Sequence, residues 1–276
     1  MRPALLAARL KRGPAEASLP AVGDEVEVED GETDELRVIA VRPRRTALAR
    51  AGDRAHGRRA VAVNAEQAVI VSSAASPPFR PGLVDRWALL AHRGGMTPFL
   101  CVNKIDLTDR DEAERAVGEA AIPLPHVFVS ARTGEGLDRL RTQLTARISV
   151  LVGHSGVGKS SLLRLLVPEE EIVTGDLSRK SGKGRHTTTS ARLYPLPEGG
   201  CVIDTPGVRS VPLGKATCAE VAALFPEVRD APPCRFDSCT HRVEPGCSVL
   251  EGVESGSVPE HVYARYRKLL LEADLP

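Results

Sequence analysis

The stretch Gly153-His154-Ser155-Gly156-Val157-Gly158-Lys159-Ser160-Ser161 restricts the fold of this chain more than any other. It reads G-x-x-x-x-G-K-S, follows the apolar run Ile148–Val152 and opens into Ser161–Leu166, which has helical character. Strand, glycine-rich turn and helix in that order make a phosphate cradle. Glycine lets backbone N–H groups converge on phosphate oxygens where a Cβ would obstruct them, and the helix N-terminus adds unpaired donors and the positive end of its dipole. In such a loop Lys159 reaches the β- and γ-phosphates, giving it a catalytic part, and the Ser160 hydroxyl ligates Mg²⁺.

A cradle of this kind sits on a sheet, and the flanking sequence supplies one. Apolar strands at Ala68–Val71, Phe99–Val102 and His126–Val129 alternate with helical stretches at Leu83–His92, Glu112–Glu119 and Leu137–Leu144. Two more strands, Ala191–Leu196 and Cys201–Ile203, flank the turn Glu198-Gly199-Gly200, and the whole reads as a largely parallel α/β sheet. Thr174–Thr189, between the phosphate-loop helix and these two strands, is polar and reads as a mobile loop. Residues 1–62 differ. Val22–Val28 alternates as a half-buried strand does, and Glu35–Val41 and Ala60–Val63 follow between Gly and Pro turns, which suggests a small or incomplete barrel. Arg42, Arg44 and Arg45, then Arg50, Arg54, His56, Arg58 and Arg59, lie between these strands. They read equally as solvated loops or as a phosphate-tracking RNA surface. From Thr217 the chain is helical, and Pro259 opens a last helix with Tyr263, Tyr266 and Leu270 at helical spacing.

With 276 residues and a net charge of +1, the chain has no global attraction to polyanions, so any nucleic-acid contact must be local. No run approaches the ~18 apolar residues of a membrane span. Met1–Pro14 is too short and wrongly flanked for a signal peptide, so a cytoplasmic protein without membrane contact is expected. Its six cysteines are then not expected to form disulfides. Cys101, Cys201 and Cys218 read as buried packing residues. Cys234-x₄-Cys239-x-His241-x₅-Cys247 offers three thiolates and one imidazole, a closed tetrahedral set for one structural zinc, with free loop cysteines as the alternative.

Asn103-Lys104-Ile105-Asp106 names the nucleotide. A carboxylate at Asp106 accepts from the N1–H and exocyclic amine of guanine, whereas adenine would leave it desolvated and unpaired. Asn103 is expected to contact the base, Lys104 to pack over its plane, and Ser130-Ala131 to hold the other rim with a backbone N–H for the guanine O6. Asp204-Thr205-Pro206-Gly207 completes the set: Asp204 holds Mg²⁺ through water and the Gly207 N–H meets the γ-phosphate. A P-loop kinase prefers adenine, and Asp106 argues against it.

The order is unusual, because Asn103–Asp106 and Ser130 precede Gly153. Permuted order, the G-H-S-G-V-G-K-S-S loop and Arg185-His186-Thr187-Thr188-Thr189 together closely resemble the circularly permuted, ribosome small-subunit-dependent GTPase A family, from about Val22 to about Leu271. The resemblance implies a multidomain chain: an OB-like barrel (1–62), a circularly permuted α/β P-loop GTPase domain (63–215) and a C-terminal α-helical zinc domain (216–276). It implies a GTP hydrolase with Mg²⁺ and GTP or GDP as ligands, monomeric, that binds the small ribosomal subunit and its rRNA, is stimulated by it and assists its late maturation. Against the family pattern the chain begins almost at the third barrel strand, so either translation starts upstream of Met1 or the barrel is truncated, which would expose a sheet edge.

No glutamine follows Asp204–Gly207; Val208-Arg209-Ser210 does. Slow intrinsic hydrolysis is therefore expected, with His186 as the internal candidate for orienting the water and an external activator for speed. One of Thr187, Thr188 and Thr189 completes the Mg²⁺ shell, and family spacing favours Thr188. The alternative from another class is a zinc-stabilised rRNA-binding module that uses GTP only as an affinity switch.

Overall fold

The computed structural model describes residues 4–6, 20–30, 35–50, 59–167, 191–205 and 213–273. Its first strands are β1 (Ala4–Leu6), β2 (Val26–Asp30), β3 (Leu36–Val41), β4 (Ala47–Arg50) and β5 (Arg59–Val63). Parallel β1 and antiparallel β2 flank β3, β4 and β5 form a separate antiparallel pair, and a bridge between Val22 and Ala62 connects the two groups.

One expectation changes here. Val22–Val28 is not one half-buried strand. Gly23 sits at φ +97°, with its backbone so close to Val63 that a Cβ would lie 2.0 Å from that carbonyl oxygen. The Ala21 N–H then donates to Asp24 Oδ2 at 2.7 Å, and strand pairing with β3 starts only at Val26. Alternation puts Val26 and Val28 on one face, but both are exposed. In the first arginine cluster, expected as either solvated loops or an RNA-facing surface, each cation has a carboxylate partner while Arg42 and Arg45 stay exposed. Arg44 grips the buried Asp24 carboxylate with both Nε and a terminal nitrogen (2.8 and 2.7 Å), Arg45 pairs with Glu25 at 2.8 Å, and Arg42 faces Glu27 at 3.7 Å. Of the second cluster, residues 51–58 and the side chains of Arg50 and Arg59 lie outside the described residues.

The central sheet contains β6 (Gln67–Ser73), β7 (Thr97–Asn103), β8 (His126–Phe128), β9 (Ile148–Val152), β10 (Arg192–Pro195) and β11 (Cys201–Asp204). Its order is β10-β11-β9-β6-β7-β8, parallel throughout except for β10. Helices α1 (Pro81–Arg93), α2 (Arg110–Glu119), α3 (Leu137–Leu144) and α4 (Lys159–Leu166) cover it. Strand alternation divides the core. Ile70, Leu100, Val102, Val150 and Val152 pack with Val84, Leu89 and Val117 of α1 and α2. Val69, Val71, Cys101 and Leu151 pack with Leu140, Leu144, Leu162 and Leu166 of α3 and α4. Both faces of a parallel sheet must be buried, and here both are.

The C-terminal region adds α5 (Cys218–Ala222), α6 (Pro226–Arg229), α7 (Ser248–Ser255) and α8 (Glu260–Glu272). A capping box between Thr217 and Glu220 starts α5. Tyr266 of α8 is fully buried, edge-on to Phe225 at 5.8 Å between ring centres. These residues belong to the same apolar cluster as α1 and as Leu48 and Ala62 of the N-terminal strands. Charge also ties α8 to α1: Arg265 holds Asp85 with two nitrogens at 2.8 and 3.0 Å and donates to the Ala120 carbonyl, and Arg86 meets Glu272 at 2.5 Å.

Candidate nucleotide site and metal cluster

The C-terminal ends of β9, β6 and β7 meet at one edge of the sheet, where crevices of open α/β sheets bind ligands. The loop from Gly153 to Gly158 lies there. Gly153 (φ +138°) passes so close to β6 that a Cβ would be 2.2 Å from the Val71 oxygen. At Gly158 (φ +97°) a Cβ would be 2.2 Å from Asn103 Nδ2, so only glycine brings the loop against β7. Ser155, Gly156, Ser160 and Ser161 are exposed, as a surface that receives a ligand requires, while Val157 anchors the loop in the core.

Lys159, opening α4, folds its ammonium back onto the carbonyls of Gly153 and His154 at 2.7 and 2.9 Å. Burial lowers its pKa, and the charge of Asp204 opposes that effect. Asp204 ends β11 in register with Leu151 of the loop strand, and the next residue, Thr205, is buried with its hydroxyl on the Leu151 carbonyl at 3.0 Å. Lys159, Ser160 and Asp204 thus gather at one end of the sheet. His186, Thr188 and Gly207 lie outside the described residues.

Asn103 is completely buried. Its Nδ2 donates to the Val157 carbonyl at 2.9 Å and its Oδ1 accepts from the Ala131 N–H at 3.0 Å. The expected base contact is therefore also the tie between phosphate loop and Ser130-Ala131 rim. Lys104 follows in the left-handed region (φ +64°), its Nζ donating to the Ser76 carbonyl at 2.5 Å. That bend starts a short 3₁₀ turn, Ile105–Leu107, which aims Asp106 at Ser130.

The Ser130 hydroxyl accepts from the N–H groups of Arg132 and Thr133 (3.2 and 3.1 Å), which orients its proton toward Asp106 Oδ1 at 2.5 Å. That bond, with Arg132 Nε on Oδ2 at 2.7 Å, holds the Asp106 carboxyl below its ordinary value. The group is an ionised acceptor, which is the form a guanine edge needs. The sequence reading passed over Arg132. Its position directly after Ser130-Ala131 was the available signal.

Cys234, Cys239, His241 and Cys247 come together with all donor atoms within 4.8 Å of one another. Cys234 Sγ lies 3.9 Å from Cys247 Sγ and 3.4 Å from His241 Nδ1, and Cys247 Sγ is 3.5 Å from that nitrogen. A tetrahedral zinc with ordinary bond lengths would have S···S edges of about 3.8 Å and S···N edges of about 3.5 Å, which the three edges among Cys234, His241 and Cys247 match. Burial pushes the Cys239 thiol up to about 12 and lowers the His241 pKa, which favours the neutral imidazole. Glu244 braces the ligand loop. Its carboxylate accepts from the N–H groups of Thr240, Arg242 and Val243 and from the Thr240 hydroxyl, which holds its pKa far below the ordinary value despite burial. Tyr263 of α8 donates to the His241 carbonyl at 2.9 Å. Glu244 was also missed from sequence, where Glu244-Pro245-Gly246 reads only as a turn.

A phosphate loop on the central strand of a parallel sheet, with the base-recognition loop earlier in the chain, defines a circularly permuted P-loop GTPase. The profile of the RsgA GTPase family matches residues 41–214. The chain belongs to that family. The "Small ribosomal subunit biogenesis GTPase RsgA" of Chlorobaculum tepidum is 41% identical over 92% of this chain and 85% of the relative. Among solved structures, YjeQ from Thermotoga maritima superposes with a TM-score of 0.74 at 30% identity, covering 98% of this chain and 89% of that one. YloQ, described as a circularly permuted GTPase, superposes at 0.66 with 26% identity over 92% and 81%.

Proposed function

We propose that this GTPase binds the small ribosomal subunit and assists its late maturation, with the subunit stimulating GTP hydrolysis. The observation that carries the reading is family membership combined with an assembled base and phosphate site, since relatives about 40% identical are named for small-subunit biogenesis. GTP or GDP binds with its phosphates on Gly153–Ser161 and guanine between Asn103–Asp106 and Ser130-Ala131. Asp106 accepts the N1–H and amine, and Lys104 leaves the Ser76 carbonyl to cover the base. Lys159 exchanges a loop carbonyl for a phosphate oxygen, which gives its partly buried ammonium an anionic partner.

Ser160, Asp204 and Thr188 are the proposed Mg²⁺ set; the ion neutralises charge building up on the phosphates. Gly207 offers its N–H to the γ-phosphate, and His186 orients the attacking water. Cys234, Cys239, His241 and Cys247 hold one structural zinc, which fixes a segment too small to form its own core. We further assign residues 1–62, 63–215 and 216–276 as OB-like, GTPase and zinc domains, with rRNA as the subunit contact. The protein acts as a monomer in the cytoplasm.

Steady-state GTP turnover with and without purified small subunits tests this. Stimulation on the order of 10³-fold is expected, with most of it lost in His186→Ala. Nucleotide-dependent subunit binding without stimulated turnover would instead make the chain an rRNA-binding module that uses GTP as an affinity switch.

A further inference from the structure

We infer that Arg132 is an internal competitor for the guanine site, a latch that occupies Asp106 until a nucleotide displaces it. The inference rests on the reading of Asp106 as the guanine acceptor. The Asp106 side chain is only 8% exposed, and its two oxygens face two donors: Ser130 Oγ at 2.5 Å and Arg132 Nε at 2.7 Å. The Ser130 bond is built in, because two backbone N–H groups orient that hydroxyl. The Arg132 bond is not. Its side chain is 72% exposed, and the contact with Asp106 is its one ion pair among the described residues.

The chemistry of the two ligands is alike. A guanidinium presents adjacent planar N–H donors, and so does guanine with N1–H and its exocyclic amine; both are complementary to one carboxylate. Both ligands seek Oδ2, so the closed latch competes with the bidentate base contact. In the nucleotide-free protein the latch gives Oδ2 a donor and the carboxylate a counter-charge, beside the Ser130 hydroxyl that already serves Oδ1. Apparent affinity for guanine then falls by the fraction of molecules in which the latch is open. A half-exposed ion pair is worth at most about 1 kcal/mol, which closes the latch in roughly four molecules of five and weakens binding by about five-fold.

The test is titration of full-length protein with fluorescent GDP and XDP over a range of potassium chloride. Arg132→Ala is expected to tighten GDP binding by three- to five-fold at low salt. That advantage shrinks toward unity as salt screens the wild-type pair. Arg132→Lys, which keeps the charge but loses the planar fork, falls between. Weaker or unchanged GDP binding in Arg132→Ala, or an advantage independent of salt, overturns the latch. Asp106→Asn separates the two readings: it should lose GDP and gain XDP. If it does so while Arg132→Ala has no effect, only the latch fails. If it leaves base preference unchanged, the assignment of Asp106 fails first.

Discussion

Breaking the buried pair between α1 and α8 should destabilise the protein more than any exposed substitution. Asp85 and Arg265 have side chains 5% and 13% exposed, and two bonds of 2.8 and 3.0 Å join them. Arg265→Met removes the guanidinium from the face of Phe225 and leaves a buried carboxylate without its counter-ion and the Ala120 carbonyl without its donor. Removing one partner of such a pair costs about 3–5 kcal/mol, a large part of the ~5–15 kcal/mol available to a domain. At a slope of about 2 kcal/mol per molar urea, the unfolding midpoint should fall by about 2 M. The double variant Asp85→Leu/Arg265→Met should return to within about 1 kcal/mol of wild type, because no charge is then stranded.

Acidity supplies a second reading of the same variant. Burial raises the Asp85 pKa while Arg265 pulls it down, so removing Arg265 raises it further. A carboxyl raised in the folded state binds its proton more tightly there than in the unfolded chain. Its penalty is therefore present above the folded value and disappears as pH falls to the ordinary carboxylate value near ~4. The penalty of Arg265→Met should shrink on acidification. A cost under about 1 kcal/mol, a double variant as unstable as the single, or a penalty that grows at low pH would refute the assignment.

At Gly158, substitution by Ala should abolish GDP binding in a fluorescence titration, because the Cβ would displace Asn103 Nδ2 and the residue must keep φ +97°. Elemental analysis should find one zinc per chain. Cys239→Ser should lose it and lower the thermal midpoint, because Tyr263 and Tyr266 pack α8 on the ligand loop. Glu244→Ala should speed zinc transfer to a chromogenic chelator by about ten-fold or more while leaving the ligands in place, since loss of a supporting partner typically weakens a metal site by 10–100-fold.

Legibility in the sequence followed how tightly local chemistry restricts residue choice. The phosphate loop allows few residues at each position, and strand, loop and helix all lie where the pattern put them. The apolar strands Gln67–Ser73 and Thr97–Asn103 were legible because burial on both faces writes continuous apolar runs. That Cys234, Cys239, His241 and Cys247 would cluster was legible by type and spacing. Val26 and Val28 show the limit: alternation tells which residues share a face, and says nothing of whether another element covers it. The strand Ala47–Arg50 was hidden inside an arginine-rich stretch, although Leu48 is among the most buried residues. Asp85 and Arg265, 180 residues apart, had no local signal at all. Arg132 was ambiguous because an arginine in a turn is ordinarily solvated, and only Asp106 beside it gives it a part.

The permuted order leaves these site contacts intact because none of them depends on connectivity. Asn103 joins three loops through its own amide, and strand register fixes Asp204 beside Leu151. What permutation changes is the tether. The chain leaving Asp204 runs on to Leu213 and α5, and α8 then returns to α1 through Asp85–Arg265 and Arg86–Glu272. Arg93, at the end of α1, holds the first tether by donating to the Leu213 carbonyl at 2.5 Å and facing Glu220 at 3.4 Å. Both tethers therefore end on one helix. A pull on the chain at Leu213 would be resisted by α1 at Arg93, and the loop of Cys239 and His241 is held to the same helix through Tyr263 and α8. If nucleotide state acts on the Cys/His cluster by this route, hydrogen-exchange protection of residues 217–271 should differ between the GDP form and a GTP-analogue form, and identical protection would refute it.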